Sequence, residues 1–141
     1  MPAKSTELAW LAGFIDADGH IGVEYSRLCD TYALRVGVCN THKPSVEKCQ
    51  SLMGGGLYPN GFESSTRKQS WRGSLAGAAT KDLLKRVFPY MVTKKRQAAI
   101  AFVFPMGSGG NGRPAHPLLK ILQKECYKAL GALNKRGPAD A

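Results

Sequence analysis

Between Ser5 and Leu28 the spacing of apolar residues switches from a helical period to a strand period at one point, Gly19. That switch constrains the fold more than any other feature of the chain. Residues 5–18 predict a helix, with Ser5 or Thr6 as N-cap and Glu7 in the first turn. Leu8, Leu11, Ala12 and Ile15 recur on one face. Thr6, Trp10, Gly13 and Ala17 form a second stripe at steps of four, three and four. A helix with two such stripes is covered on both sides. Gly13 and Ala17 lack bulk, so a second backbone can approach closely there. Gly19 is expected to stop the helix.

From His20 to Leu28 the period is two, with Ile21, Val23 and Tyr25 alternating against Gly22, Glu24 and Ser26. Thr31–Asn40 repeats the pattern, and Cys29-Asp30 supplies a turn between the two strands. A helix follows from Pro44 through Val46, Cys49, Leu52 and Met53 to the glycines 54–56. Leu57–Phe62 and Lys68–Ala76 read as a second hairpin. Thr80 then caps a helix through Leu83, Leu84 and Val87, broken at Pro89. Lys94–Phe104 is helical, 105–117 a loop, 118–133 a last helix and 134–141 a tail. The expected fold class is α+β in a single domain over 1–141: an antiparallel or mixed sheet backed by helices on one face. Glu24, Ser26, Arg35, Lys68, Ser70, Arg72 and Ser74 fall on the other face, a polar and basic surface suited to a duplex groove.

Composition narrows the function. The chain has 141 residues, 43% of them hydrophobic, which fits one domain with a real core. No apolar run approaches the ~18 residues of a membrane span, and the first residues lack the apolar stretch of a signal peptide. The expectation is an intracellular protein of the cytoplasm or an organelle matrix, neither secreted nor in a membrane. Net charge is +10, unevenly spread. Residues 1–40 carry three basic against five acidic residues, and residues 41–100 carry eleven against three. Such an excess attracts polyanions. Cys29, Cys39, Cys49 and Cys126 match no zinc spacing and read as reduced, packed thiols. Gly107–Gly112 spells GxGxxG, but it follows a helix and leads to Pro114 and Pro117. The dinucleotide motif needs a strand before it and a helix after it.

Within this basic chain Asp16 and Asp18 close the first helix, against its macrodipole. Acid placed there points to a metal held by oxygen ligands. The alternative is a solvated turn, or Asp16 tied to nearby backbone.

The segment Leu11-Ala12-Gly13-Phe14-Ile15-Asp16-Ala17-Asp18-Gly19 resembles the motif of the LAGLIDADG homing endonucleases at eight of nine positions, with Phe14 for Leu. The order of elements is similar to that family's αββαββα core with additional C-terminal helices, its sheet forming a DNA-binding saddle. The resemblance implies a site-specific double-strand DNA endonuclease, cutting a long, roughly palindromic site across the minor groove to leave short 3′ overhangs. With one motif per chain, it implies a homodimer joined along Trp10, Gly13 and Ala17. Asp18 would hold Mg²⁺ (Mn²⁺ substituting), with help from the Gly19 carbonyl. Asn40 would order solvent around the metal. Lys94, or Lys95 or Arg96 one or two residues on, would serve the water network or the transition-state charge. Strand parity makes Arg35 and Arg72 candidates for guanine and Glu24 for cytosine N4. His20 either touches DNA or is simply the first outward-facing strand residue. On the same scaffold the alternative is a non-cleaving protein: an RNA maturase acting on intron RNA, or a DNA-binding regulator.

Overall fold

The computed structural model describes residues 3–61, 63–107 and 116–135. Helix α1 spans Ser5–Asp18. Its N-cap is Lys4, whose N–H donates to Glu7 Oε1 at 3.4 Å. Neither Ser5 nor Thr6 caps, because the carboxylate three residues on already takes the exposed amide. Leu11, Ala12 and Ile15 are fully buried. At the far end the Gly19 N–H donates to the Ile15 carbonyl. Gly19 does not stop the helix by turning left-handed, since its backbone is extended (φ −97°, ψ 173°). The glycine is needed for space: a Cβ would stand 2.5 Å from the Ile15 oxygen. The chain thus leaves the helix hard against its last turn.

Strand β1 (Gly19–Ser26) starts at that glycine and pairs antiparallel with β2 (Thr31–Asn40), Gly19 facing Val38. The turn takes residues 27–30, two more than expected, with Asp30 left-handed at φ 50°. Helix α2 (Lys43–Met53) has Pro44 in its first turn. Strands β3 (Gly56–Asn60) and β4 (Ser70–Ala76) pair antiparallel, and β4 also pairs with β2, so the sheet order is β1-β2-β4-β3. Lys68 lies outside β4. The Gln69 amide donates to the Gly61 and Ser70 carbonyls and holds the connection closed before the strand begins.

Helix α3 (Ala78–Val87) is capped at Gly77, not at Thr80. Thr80 sits inside the first turn, fully buried, where its hydroxyl satisfies the Leu75 carbonyl at 3.2 Å. A 3-10 turn over Phe88–Tyr90 leads to α4 (Lys95–Val103), and α5 (Pro117–Leu133) closes the fold. The buried Gln123 of α5 donates to the Pro105 and Gly107 carbonyls, pinning the start of the loop after α4. Residues 108–115, with most of the glycine-rich stretch, and tail residues 136–141 lie outside the described residues.

One sheet face carries Ile21, Val23, Leu34, Val36 and Val38, all buried beneath the helices with Leu83, Leu84, Phe104 and Leu130. Alternation decides this face, since residues of period two share one side of a pleat. The four cysteines are free thiols. Cys49 and Cys126 are buried, and burial pushes the Cys49 thiol up to about 12. Cys29, expected to be packed, is exposed in the β1–β2 turn. Among the described residues no helix is long and apolar enough to cross a membrane.

Candidate active site

The end of α1 turns directly into β1, and the β1–β2 ladder then sets which residues stand beside Asp18. Because Gly19 faces Val38, Asn40 lies next to the carboxylate. Its Nδ2 donates to Asp18 Oδ2 at 2.9 Å, while its Oδ1 accepts the His42 N–H at 2.7 Å. The two bonds fix which way the amide points. Asp18 is exposed, and its Oδ1 has no hydrogen-bond partner among the described residues.

Asp16 has a different role. Its Oδ2 accepts the Val92 N–H at 2.7 Å and its Oδ1 the Lys94 N–H at 3.0 Å. In return Lys94 Nζ donates to the Asp16 carbonyl at 2.6 Å. The carboxylate is thus engaged by backbone, the second of the two readings open to it. Lys94 is the residue drawn to the motif helix. Lys95 lies over the Phe88 ring instead, 5.6 Å from its centroid, and Arg96 is exposed.

Two clefts open at this end of the molecule. One, of ≈ 300 Å³, lies on the uncovered sheet face and is lined by Asp18, His20, Glu24, Arg35, Arg72 and Ser74 among others. The second, of ≈ 340 Å³, is lined by Ala17, Gly19, His20, Lys94, Gln97 and Asn134 among others. The sheet face itself is only partly as expected. Arg35 Nε lies 2.9 Å from Glu24 Oε2, and Arg35 Nη1 donates to Ser74 Oγ at 3.2 Å. The Nε–H is not aimed well enough at the carboxylate to make a hydrogen bond. Ser74 is 6% exposed, covered by the guanidinium that lies across it. Arg72 is exposed beside the Tyr58 ring. Ser70 Oγ donates to the Asn60 carbonyl and Ser26 Oγ accepts from Cys29, so both hydroxyls serve local structure. Lys68 sits off the sheet. Asn134 belongs to the tail in sequence, and no local pattern marks it as a site residue.

One chain does not form a closed metal cage: among the described residues no three His, Cys, Asp or Glu stand together. A single open carboxylate suits a hard cation that keeps several waters and takes its remaining ligands from phosphate oxygens, as Mg²⁺ does. The small residues of the second stripe of α1 are bare, whereas Trp10 is half-buried. Gly13 and Ala17 are exposed, and a Cβ built on Gly13 meets nothing within 4 Å. Trp10 stacks on Phe14 at 5.4 Å, with the Lys48 ammonium 4.5 Å from the indole.

No protein-family model and no curated protein matches this chain. Solved structures do. The homing endonuclease I-CvuI, in complex with its target in the presence of 2 mM Ca, superposes with a TM-score of 0.73 at 18% identity, covering 97% of this chain and 87% of that one. The chain has the LAGLIDADG homing endonuclease fold. A second I-CvuI complex, with the I-CreI target and 2 mM Mg, gives 0.73 at 20% identity over 96% and 86% of the two chains. The archaeal intron-encoded homing endonuclease I-Vdi141I, complexed with DNA, gives 0.66 at 14% over 99% and 91%. In this chain α1 carries the segment that resembles the LAGLIDADG motif. Its last carboxylate opens onto the sheet cleft, and its small-residue stripe is uncovered.

Proposed function

We propose that this chain is a site-specific DNA endonuclease that acts as a homodimer with Mg²⁺ on a long, roughly palindromic duplex. The observation that carries the reading is Asp18. It is an exposed carboxylate oriented by Asn40, in a cleft that also holds the candidate base-reading Glu24, Arg35 and Arg72. Nothing in a basic protein's solubility requires acid at that place. The LAGLIDADG fold adds support, since I-CvuI and I-Vdi141I carry it in complexes with DNA.

The two α1 stripes, paired across a dyad, would bring two Asp18 carboxylates to one centre. The bare Gly13 and Ala17 permit that approach. Asp18 and the Gly19 carbonyl would hold Mg²⁺, which when bound lowers the pKa of an attacking water and stabilises the departing 3′ oxygen. Asn40 holds the Asp18 rotamer. Lys94 keeps one ammonium donor on the Asp16 carbonyl and has two left for phosphate oxygens or ordered water. Arg35 and Arg72 would meet guanine edges, and Glu24 would accept from cytosine N4. The Glu24–Arg35 pair is partly exposed and contributes at most about 1 kcal/mol, so a base can displace it.

Selection from a randomised duplex library in Mg²⁺ tests the reading. The expected result is one family of sites with approximate two-fold symmetry, cut on both strands. A chain that binds its selected duplex but cuts nothing in Mg²⁺ or Mn²⁺ is instead the DNA-binding regulator. One that prefers folded intron RNA is the maturase.

A further inference from the structure

His20 is the residue shared by the two clefts, and three features hold it there. Its ring lies over Gly22, the next residue on the same strand face. A Cβ on Gly22 would stand 2.5 Å from the ring's Cε1, so the ring occupies space that a side chain at 22 would take. Asn134, just past the end of α5, donates from Nδ2 to the Ile21 carbonyl at 2.8 Å. The second hydrogen of the same amide reaches His20 Nε2 at 3.4 Å. An amide NH₂ only donates, so Nε2 accepts and the ring's proton sits on Nδ1. That Nδ1–H has no partner among the described residues, and His20 is exposed. A segment remote in sequence thus sets both the orientation and the tautomer of a side chain between Asp18 and Lys94.

We infer that His20 is a DNA-contacting residue of this centre. Its Nδ1–H donates to a backbone phosphate next to the cut, and Asn134 is the positioning residue that keeps the proton on that nitrogen. The inference rests on the nuclease reading and adds a contact to it. A histidine that merely began the strand would need neither the glycine shelf nor the amide.

The test uses the full chain, the duplex recovered by selection, and binding measured without divalent metal. Single phosphates around the cut are replaced in turn by neutral methylphosphonates. At one phosphate per half-site the wild type should lose roughly tenfold in affinity, as for a hydrogen bond to a charged group. His20→Ala should lose the same amount on the unmodified duplex and then be indifferent to that replacement. His20→Asn places an amide N–H where Nδ1 was and should restore both affinity and sensitivity. Asn134→Ala removes the donor that keeps Nε2 an acceptor, frees the ring, and should weaken sensitivity at that phosphate with the fold intact by circular dichroism. If His20→Ala keeps the wild-type sensitivity at every phosphate, the inference is overturned while the nuclease reading stands. If no duplex is ever selected, the nuclease reading fails first.

Discussion

At Asp16 and Asp18 the same side chain, two residues apart at the end of one helix, meets two different surroundings. Asp16 accepts two backbone amides from the segment before α4, and Asp18 shares one oxygen with Asn40 and leaves the other open. Substitution by Asn should separate the two roles. Asp18→Asn keeps the shape but removes the charge that would hold Mg²⁺. Nicking of the selected site should fall by roughly 10³-fold or more, the scale on which a group stabilising developing charge acts. Gel-shift affinity without metal should persist or tighten, because a negative charge beside phosphates is gone. Nicking at the wild-type rate would place the metal elsewhere. Asp16→Asn turns an amide NH₂ toward a backbone donor and should cost about 1–3 kcal/mol in denaturant unfolding. Nicking should also weaken, since Lys94 is held by the same residue. Unchanged stability would mean that the Asp16 bonds to Val92 and Lys94 carry no net energy.

Among the elements, α1 is packed on one side and bare on the other. Leu11, Ala12 and Ile15 are fully buried, whereas Gly13 and Ala17 are exposed and a Cβ on Gly13 meets nothing within 4 Å. Gly13→Leu should leave the fold intact, because its side chain points into open space. It should turn a dimer into a species near 15.2 kDa by light scattering. A wild type already monomeric in solution and binding one chain per site contradicts the shared centre. On the sheet, β2 and β4 present arginines in unlike states: Arg35 is held by Glu24 and Ser74, and Arg72 is exposed beside Tyr58 with no ion pair among the described residues. Arg72→Ala should relax preference at one symmetric pair of base positions by about 1–3 kcal/mol, read by repeating the selection. Equal weakening on every sequence would make Arg72 a phosphate contact instead.

Across the whole molecule, acid and base are segregated. The first 40 residues are net negative and supply the carboxylate, while residues 41–100 supply most of the positive excess. If that excess is a binding footprint of about six to ten phosphates, affinity should fall roughly 10³–10⁵-fold between ~50 and ~200 mM salt. A flat response in a fluorescence titration would make the charge a property of solubility only. α5 belongs to the same scale. Lys120 donates to Asp30 in the β1–β2 turn, and with Tyr25 it holds the Asp30 carboxyl below its usual range. Asn134 reaches β1 at the other end of the helix, so the last element braces the first strand along its length.

The amino-acid order alone determined the switch of period at Gly19, the parity of Leu34, Val36 and Val38 against Arg35, the second small-residue stripe on α1 and the motif whose last carboxylate is Asp18. These are local properties, because a helix or a strand repeats every few residues and shows its faces within one segment. Sequence reading missed what depends on pairing. It took Lys68 for a strand residue and Thr80 for a cap, since loop length and backbone capping are settled by neighbours that periodicity does not see. It placed Asn40 and Lys94 near Asp18 only through resemblance. The contacts that define the site join residues 22 apart for Asn40 and Asp18, 78 for Lys94 and Asp16, and 114 for Asn134 and His20. Only tertiary structure decides these, because strand register chooses the partners and a slip of one residue would turn every side chain to the other face.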